Sequence, residues 1–307
     1  MQEGSKKAIL AAFLANSAIA VSKFVGFLLT GAASMLAESV HSVADAGNQG
    51  LLFLGGARAR KTATPEHPFG YGRERYFWSF VVALVLFTMG GLFALYEGIE
   101  KLRHPHEIES ATVAFVILSL AIIVEAFSFR TAIIESMHVK GKESWWQFVR
   151  RSKSPELPVV LLEDLGAMFG LVFAVVGLGI AEITGNPRWD AVGSIAIGIL
   201  LVVIAVILAI EMKGLLIGEG ASPAALTGIR KAMESADRVQ NVIHMKTQHL
   251  GPDELLVAAK LSFDPTLELP ALAEAINDVE HRVREAVPTA RVIYIEPDIE
   301  RPQPAGV

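Results

Sequence analysis

Uncharged apolar runs recur along the first two thirds of the chain, each long enough to cross a bilayer once. Residues 191–210 hold no charge for twenty positions. At about 1.5 Å per residue such a helix spans a ~30 Å hydrocarbon core. Residues 76–96 repeat the pattern. Residues 165–181 are uncharged behind Glu163 and Asp164, and residues 111–124 run uncharged to Glu125 and stay apolar to Phe129. A first stretch from about Ala8 to Leu29 is interrupted by Lys23, and a second, from Ser34 to about Gly56, by Glu38, His41 and Asp45. The pattern predicts six membrane helices. The first is too long and too apolar on both sides of Lys23 for a cleaved signal peptide.

Past about Gly220 the pattern changes to an ordinary soluble charge density. Ser222-Pro223 reads as an N-cap with proline at the first helical position, opening a helix over 223–236. Extended runs at 240–249 and 253–263 flank Gly251-Pro252 and predict a hairpin. Pro270 opens a helix to about 287, with Leu272, Ile276, Val279 and Val283 at helical spacing, and 291–296 reads as a strand. The order αββαβ makes a small α+β unit. The expected division is a six-helix transmembrane domain (1–220), a C-terminal domain (221–300) and a loose, proline-rich tail (301–307).

Thirteen Lys and Arg fall in the N-terminus and the second-to-third and fourth-to-fifth connections, against Lys101, Arg103 and Arg188 in the others. The positive-inside rule then places both termini and the C-terminal domain in the cytoplasm, in the cytoplasmic membrane if the protein is bacterial. Short outer turns are expected around Thr30-Gly31 and Thr184-Gly185-Asn186-Pro187. Trp145-Trp146, beside basic residues in the fourth-to-fifth connection, reads as an interfacial pair.

Composition supports a membrane protein and narrows the chemistry. The 307 residues are 52% hydrophobic and 19% charged, against about 25% charged in average globular chains, and mean hydropathy is +0.45. Disorder is excluded. A net charge of −5 argues against a nucleic-acid partner. With no cysteine, disulfides, thiolate sites and cysteine nucleophiles are absent, so a transition metal would need His, Asp, Glu, Asn or backbone oxygen.

The candidate chemistry lies in ionisable groups at bilayer depth, each costing roughly 2.5–3.5 kcal/mol on insertion scales. On the second helix His41 and Asp45 are spaced i, i+4, and Asn48 follows at i+7, all on one face. Such a pair can grip one divalent cation, with further ligands from another helix. It can also simply satisfy itself. The fifth helix supplies Glu163 and Asp164, about 100° apart around the axis. Asp164 is the preferred ligand; Glu163 is a second ligand, a proton acceptor or an interfacial group. Glu38 reads as interfacial and Lys23 as a packing or charge-pairing residue. Glu125 pairs with Lys23 or Arg130, or lines a proton path. An intramembrane hydrolase built on His41 and Glu163 has no motif of known spacing behind it, so no enzyme activity is expected.

These features together resemble the cation diffusion facilitators, the zinc-transporter family, over nearly the whole chain. Ser34-Met35-Leu36-Ala37-Glu38-Ser39-Val40-His41-Ser42-Val43-Ala44-Asp45 is similar to the family's second-helix motif. His67-Pro68-Phe69-Gly70-Tyr71-Gly72 is similar to its following loop, and Asp190-Ala191-Val192-Gly193-Ser194 to the start of its sixth helix. Leu161-Leu162-Glu163-Asp164, Ile217-Gly218-Glu219-Gly220 and Ile293-Tyr294-Ile295-Glu296-Pro297 look most like the branch that includes the mitochondrial zinc transporter. The resemblance implies a homodimeric metal efflux transporter, a ferredoxin-like cytoplasmic domain, and Zn²⁺/H⁺ antiport by alternating access. The metal and protons are then substrates, with no resident cofactor. Alternatives are Mn²⁺, Co²⁺ or Fe²⁺ transport, or a non-transporting dimer partner.

The chain departs from the family pattern. Val160 stands where the fifth helix usually carries a second ligand, which implies a site of His41, Asp45 and Asp164, completed by Asn48, Glu163 or water. In the loop only His67 remains, with Tyr71 in place of a second His. In the C-terminal domain His244 matches one ligand, while Ala259 and Ile295 replace others; His249 and His281 read as surface residues. That domain is expected to dimerise rather than sense metal. Arg73 and Glu219 align with the family's charge pair near the membrane–cytoplasm junction of its dimer.

Overall fold

The computed structural model describes residues 3–105 and 111–299; the expected tail from Arg301 lies outside them. The chain divides into two compact units, one of residues 1–57 and 75–213, the other of 58–74 and 214–307.

The first unit is helical. It holds α1 (Glu3–Thr30) and α2 (Ala33–Arg58), then α3 (Glu74–Val85), which continues through a π-helical turn (Leu86–Leu92) into α4 (Phe93–Arg103). α5 (Ala111–Lys140), the short α6 (Trp145–Arg151), α7 (Glu156–Thr184) and α8 (Arg188–Ile217) follow, the last turn of α8 passing the boundary between the units. Among the described residues four segments are long and apolar enough to cross a membrane: Glu74–Arg103, Ala111–Lys140, Glu156–Thr184 and Arg188–Ile217. The expected six need α1 and α2 as well. α2 misses by composition, because its polar stripe lowers its hydropathy. Of α1, Ser17–Thr30 qualifies only as a shorter apolar helix.

Apolar residues occupy both the inside and the outside of this unit. Met35, Leu118, Leu171, Leu178, Ile197, Leu201 and Leu208 are fully buried. On α5, Val116, Leu120, Ile123 and Phe127 recur at helical spacing and are 55–68% exposed. Water would penalise such a stripe, whereas lipid solvates it. Where helices meet, small residues let backbones touch. A Cβ on Gly198 would stand 2.7 Å from Leu95 N and 2.9 Å from Gly91 O, and one on Gly177 2.9 Å from Trp189 O. The turns after α1 and α7 fall where expected, with Gly31 and Gly185 at φ +63° and +64°, a conformation costly for any residue with a Cβ.

The fourth-to-fifth connection contains a short helix, α6. Ser144 caps it in a reciprocal capping box with Gln147. Trp145 and Trp146 are exposed, with Lys140 5.1 Å from the first ring and Arg150 5.8 Å from the second.

The second unit has the order α9 (Pro223–Glu234), β1 (Val239–Gly251), β2 (Glu254–Phe263), α10 (Leu269–Ala286), β3 (Val292–Asp298). Ser222 accepts from the Ala225 amide at 3.2 Å, the expected cap. β1 and β2 form an antiparallel hairpin, and β3 adds in parallel beside β2 after α10 crosses over. Ile229, Met233, Val257, Leu261, Val279 and Val283 form its core. Residues 58–74 belong to this unit, although the sequence reading gave everything before Gly220 to the membrane domain. The contact is backbone to backbone: a Cβ on Gly72 would stand 2.7 Å from Leu250 O.

Candidate functional site

In the first unit α2 carries a polar stripe of Glu38, His41, Ser42, Asp45 and Asn48, all buried except the partly exposed Asp45. Their spacing keeps them on one side of the helix. Small neighbours such as Ala37 and Ala44 pack closely beside them. α1, α5 and α7 complete a polar cleft lined by Ser42, Asp45, Glu125, Ser128, Val160, Glu163 and Asp164.

His41 is fully buried, and neither ring nitrogen has a hydrogen-bond partner. Its Nδ1 lies 3.5 Å from Asp45 Oδ1, without the alignment of a hydrogen bond. The ring faces the π-helical turn at Gly90, whose missing side chain leaves it room: a Cβ there would stand 3.6 Å from Nδ1. Asp45 of α2 and Glu163 of α7 line the cleft together. Asn48 Nδ2 donates to Glu163 Oε1 at 2.8 Å. Asp164, one residue on, turns toward α5 and accepts from Ser128 Oγ at 3.0 Å. Two facing carboxylates repel unless a proton or a cation sits between them. The cleft is therefore built for positive charge.

The expected donors gather unevenly. His41 and Asp45 are neighbours. Glu163, read as the weaker candidate, is the one bonded to Asn48 of α2, while Asp164 is drawn to Ser128. Among the described residues no three His, Asp or Glu side chains stand close enough to hold one ion, so the donors form a loose array. Val160 lines the cleft with no donor. Glu125 also lines it. Ser128 was not singled out in the sequence, and no spacing rule would have found it.

Two readings change. Glu38 is not interfacial: it is fully buried and paired with Lys23 at 3.0 Å, which also donates to Ser42 Oγ at 2.8 Å. Lys23 is thus a charge-pairing residue. In the second unit His249 is not a surface residue. It is 6% exposed, with Nδ1 3.3 Å from the Gly251 carbonyl oxygen and its backbone amide donating to the Glu219 carbonyl at 2.8 Å.

Elsewhere in that unit His281 is exposed at the side chain and 3.3 Å from Glu285. His67 stacks on Tyr71 with ring centroids 4.6 Å apart. His244 is exposed opposite Lys260, and Ala259 sits in register with Ile295. Arg73 and Glu219 both fall in the second unit.

Comparison with known proteins agrees with this architecture. Residues 9–217 match the family model described as the cation efflux transmembrane domain. The mouse protein named proton-coupled zinc antiporter SLC30A9, mitochondrial, is 33% identical over 265 residues, covering 85% of this chain and 47% of that protein. Metal tolerance protein C4 of Arabidopsis thaliana is 28% identical over 262 residues, covering 85% and 57%. The magnetosome protein MamB of Paramagnetospirillum magneticum is 25% identical over 285 residues, covering 92% and 90%. The chain spans about half the length of the SLC30A9 relatives it matches. A transmembrane family model over most of the chain, together with four apolar spans, makes this a multi-pass membrane protein. With two thirds of its length in that model and its buried donors facing one another across α2 and α7, the chain belongs to the cation efflux family.

Proposed function

We propose that this protein is a divalent metal efflux transporter that exchanges Zn²⁺ for protons by alternating access. The observation that carries the reading is the single cleft that gathers Asp45 of α2 with Glu163 and Asp164 of α7, with His41 3.5 Å from Asp45 and Asn48 bonded to Glu163. Neutral His41 and ionised Asp45, Glu163 and Asp164 bind the metal. Because ligands must lose protons to bind, metal and protons compete for the same atoms. α2 and α7 then close around the ion, and their rocking against the rest exposes it to the far side. Protons load His41 and a carboxylate, the metal leaves, and the protonated site returns. In this cycle Glu125, which lines the same cleft, passes protons.

The name of the mouse relative supports zinc and proton coupling. Nitrogen and oxygen donors also accept Mn²⁺, Co²⁺ or Fe²⁺, so metal choice is part of the proposal. So are six membrane helices, cytoplasmic termini, a ferredoxin-like C-terminal domain and a homodimer joined through Arg73 and Glu219. The domain limits proposed for the membrane part and the C-terminal part are 1–220 and 221–300, with residues 58–74 packed into the second unit. A second reading, a non-transporting dimer partner, is favoured by Val160 and by the loose donor array.

The test is flux into proteoliposomes with an imposed pH gradient, for Zn²⁺, Mn²⁺, Co²⁺ and Fe²⁺, on the wild type and Asp45→Ala. Transport predicts gradient-driven zinc uptake that Asp45→Ala abolishes. No uptake of any metal by folded wild-type protein supports the second reading.

A further inference from the structure

Lys23 is 1% exposed and Glu38 fully buried, and the proposed transport cycle gives neither a task. A buried ion pair is weak evidence for stability, because desolvation offsets the attraction. Its position is more informative. Lys23 Nζ is held by one oxygen of Glu38 and by Ser42 Oγ. Ser42 lines the same cleft as Asp45, three residues further along α2. The charged or titratable groups within electrostatic range of Lys23 are Glu38, His41 and Asp45 on α2 and Glu125 on α5. Glu38 is gripped on one side only. Its Oε1 has no partner and points at Gly170 of α7, where a side chain would collide with it.

We infer that Lys23 is a positioning residue for transport: a tethered cation, parked on Glu38, that reaches past Ser42 to compete with the metal ion at Asp45. The inference rests on the transport reading of the cleft. While the metal is bound, the ammonium stays on Glu38 and like-charge repulsion keeps it there. As the metal starts to leave, the ammonium moves toward Asp45, neutralises part of the vacated charge and discourages rebinding. Glu38 sets how strongly the competitor is held back. The residues that make this device lie on α1, α2, α5 and α7.

Opposite variants then give opposite shifts. Lys23→Met removes the competitor and leaves Glu38 as an extra acid near the cleft. Zinc is held more tightly and released more slowly, so apparent KM and maximal flux both fall, KM by about tenfold. Glu38→Gln frees the ammonium toward Asp45, so apparent KM rises by about tenfold. The double variant Lys23→Met/Glu38→Gln, with no buried charge left unpaired, keeps a KM below the wild-type value because the competitor is still missing. A purely structural tie predicts something else: less folded protein from each single variant, and a wild-type KM in the double variant.

The experiment measures zinc flux in proteoliposomes and zinc binding by equilibrium dialysis on the same purified full chains. Opposite KM shifts in the two single variants, or a lowered KM in the double variant if the singles do not fold, support the inference. KM values within twofold of wild type, or shifts in one direction, overturn it. Wild-type protein that binds zinc but moves none defeats the transport reading instead.

Discussion

Asn48 donates through Nδ2 to Glu163 Oε1 over 2.8 Å, a buried bond between two helices that lie 115 positions apart in sequence. It ties Glu163 to the helix that carries His41 and Asp45, while Asp164 is held by Ser128 of α5, so the proposed transport function gives Glu163 the larger share in holding the ion. Glu163→Gln is therefore expected to lower zinc flux at least tenfold, and Asp164→Asn to lower it less. Flux assays on the two variants at matched protein amounts check this. The reverse order would return Asp164 to the centre.

Val160 faces the cleft where a donor would complete the set. Val160→Asp adds a further carboxylate to the cleft that holds Asp45, Glu163 and Asp164. Dialysis is expected to show zinc bound at least tenfold more tightly, and flux assays a slower turnover, since an ion held harder leaves less readily. Weaker binding would mean that position 160 does not reach the ion.

Competition between metal and protons fixes the sign of the pH dependence. Lower pH on the loading side fills the ligands with protons, so apparent KM for zinc rises as pH falls. For one competing proton, the rise approaches about tenfold per pH unit once the ligand is protonated. A KM flat from pH 5.5 to 8 would rule out proton-competing ligands.

Asp190 on α8 is fully buried and closes the start of α2: it accepts from the Ala33 amide at 2.8 Å and from the Ser34 hydroxyl. Lys101 lies 3.6 Å from it and donates to the Gly31 carbonyl. Asp190→Ala removes a helix cap and strands a buried ammonium, which should cost about 1–3 kcal/mol. Thermal unfolding in detergent should show a lower midpoint than wild type. An unchanged midpoint would mean that the cluster carries no load.

Much of the architecture could be read from the chain. Apolar runs gave the helices, and Ser222, Gly251 and Pro270 gave the edges of the C-terminal unit. Residues 58–74 could not be assigned, because their contact with the hairpin is made by backbone at Gly72 and Gly251, which leaves no pattern in composition. The π-helical turn was hidden for a similar reason: a one-residue excess in a helix looks apolar like the rest. At the site, helical spacing placed His41, Asp45 and Asn48 on one face. It could not rank Glu163 against Asp164, since adjacent residues on a helix differ only in angle, and the partners that decide, Asn48 and Ser128, come from other helices. Lys23 and Glu38 read as background because they stand in separate runs 15 residues apart; only folding brings them together.

X-ray absorption at the zinc edge, on purified full-length protein loaded with one equivalent of Zn²⁺, tests the central claim most directly. The account predicts a shell of nitrogen and oxygen only, with imidazole scattering that disappears in His41→Ala. Imidazole scattering that survives in His41→Ala would put the metal on another histidine and contradict the account.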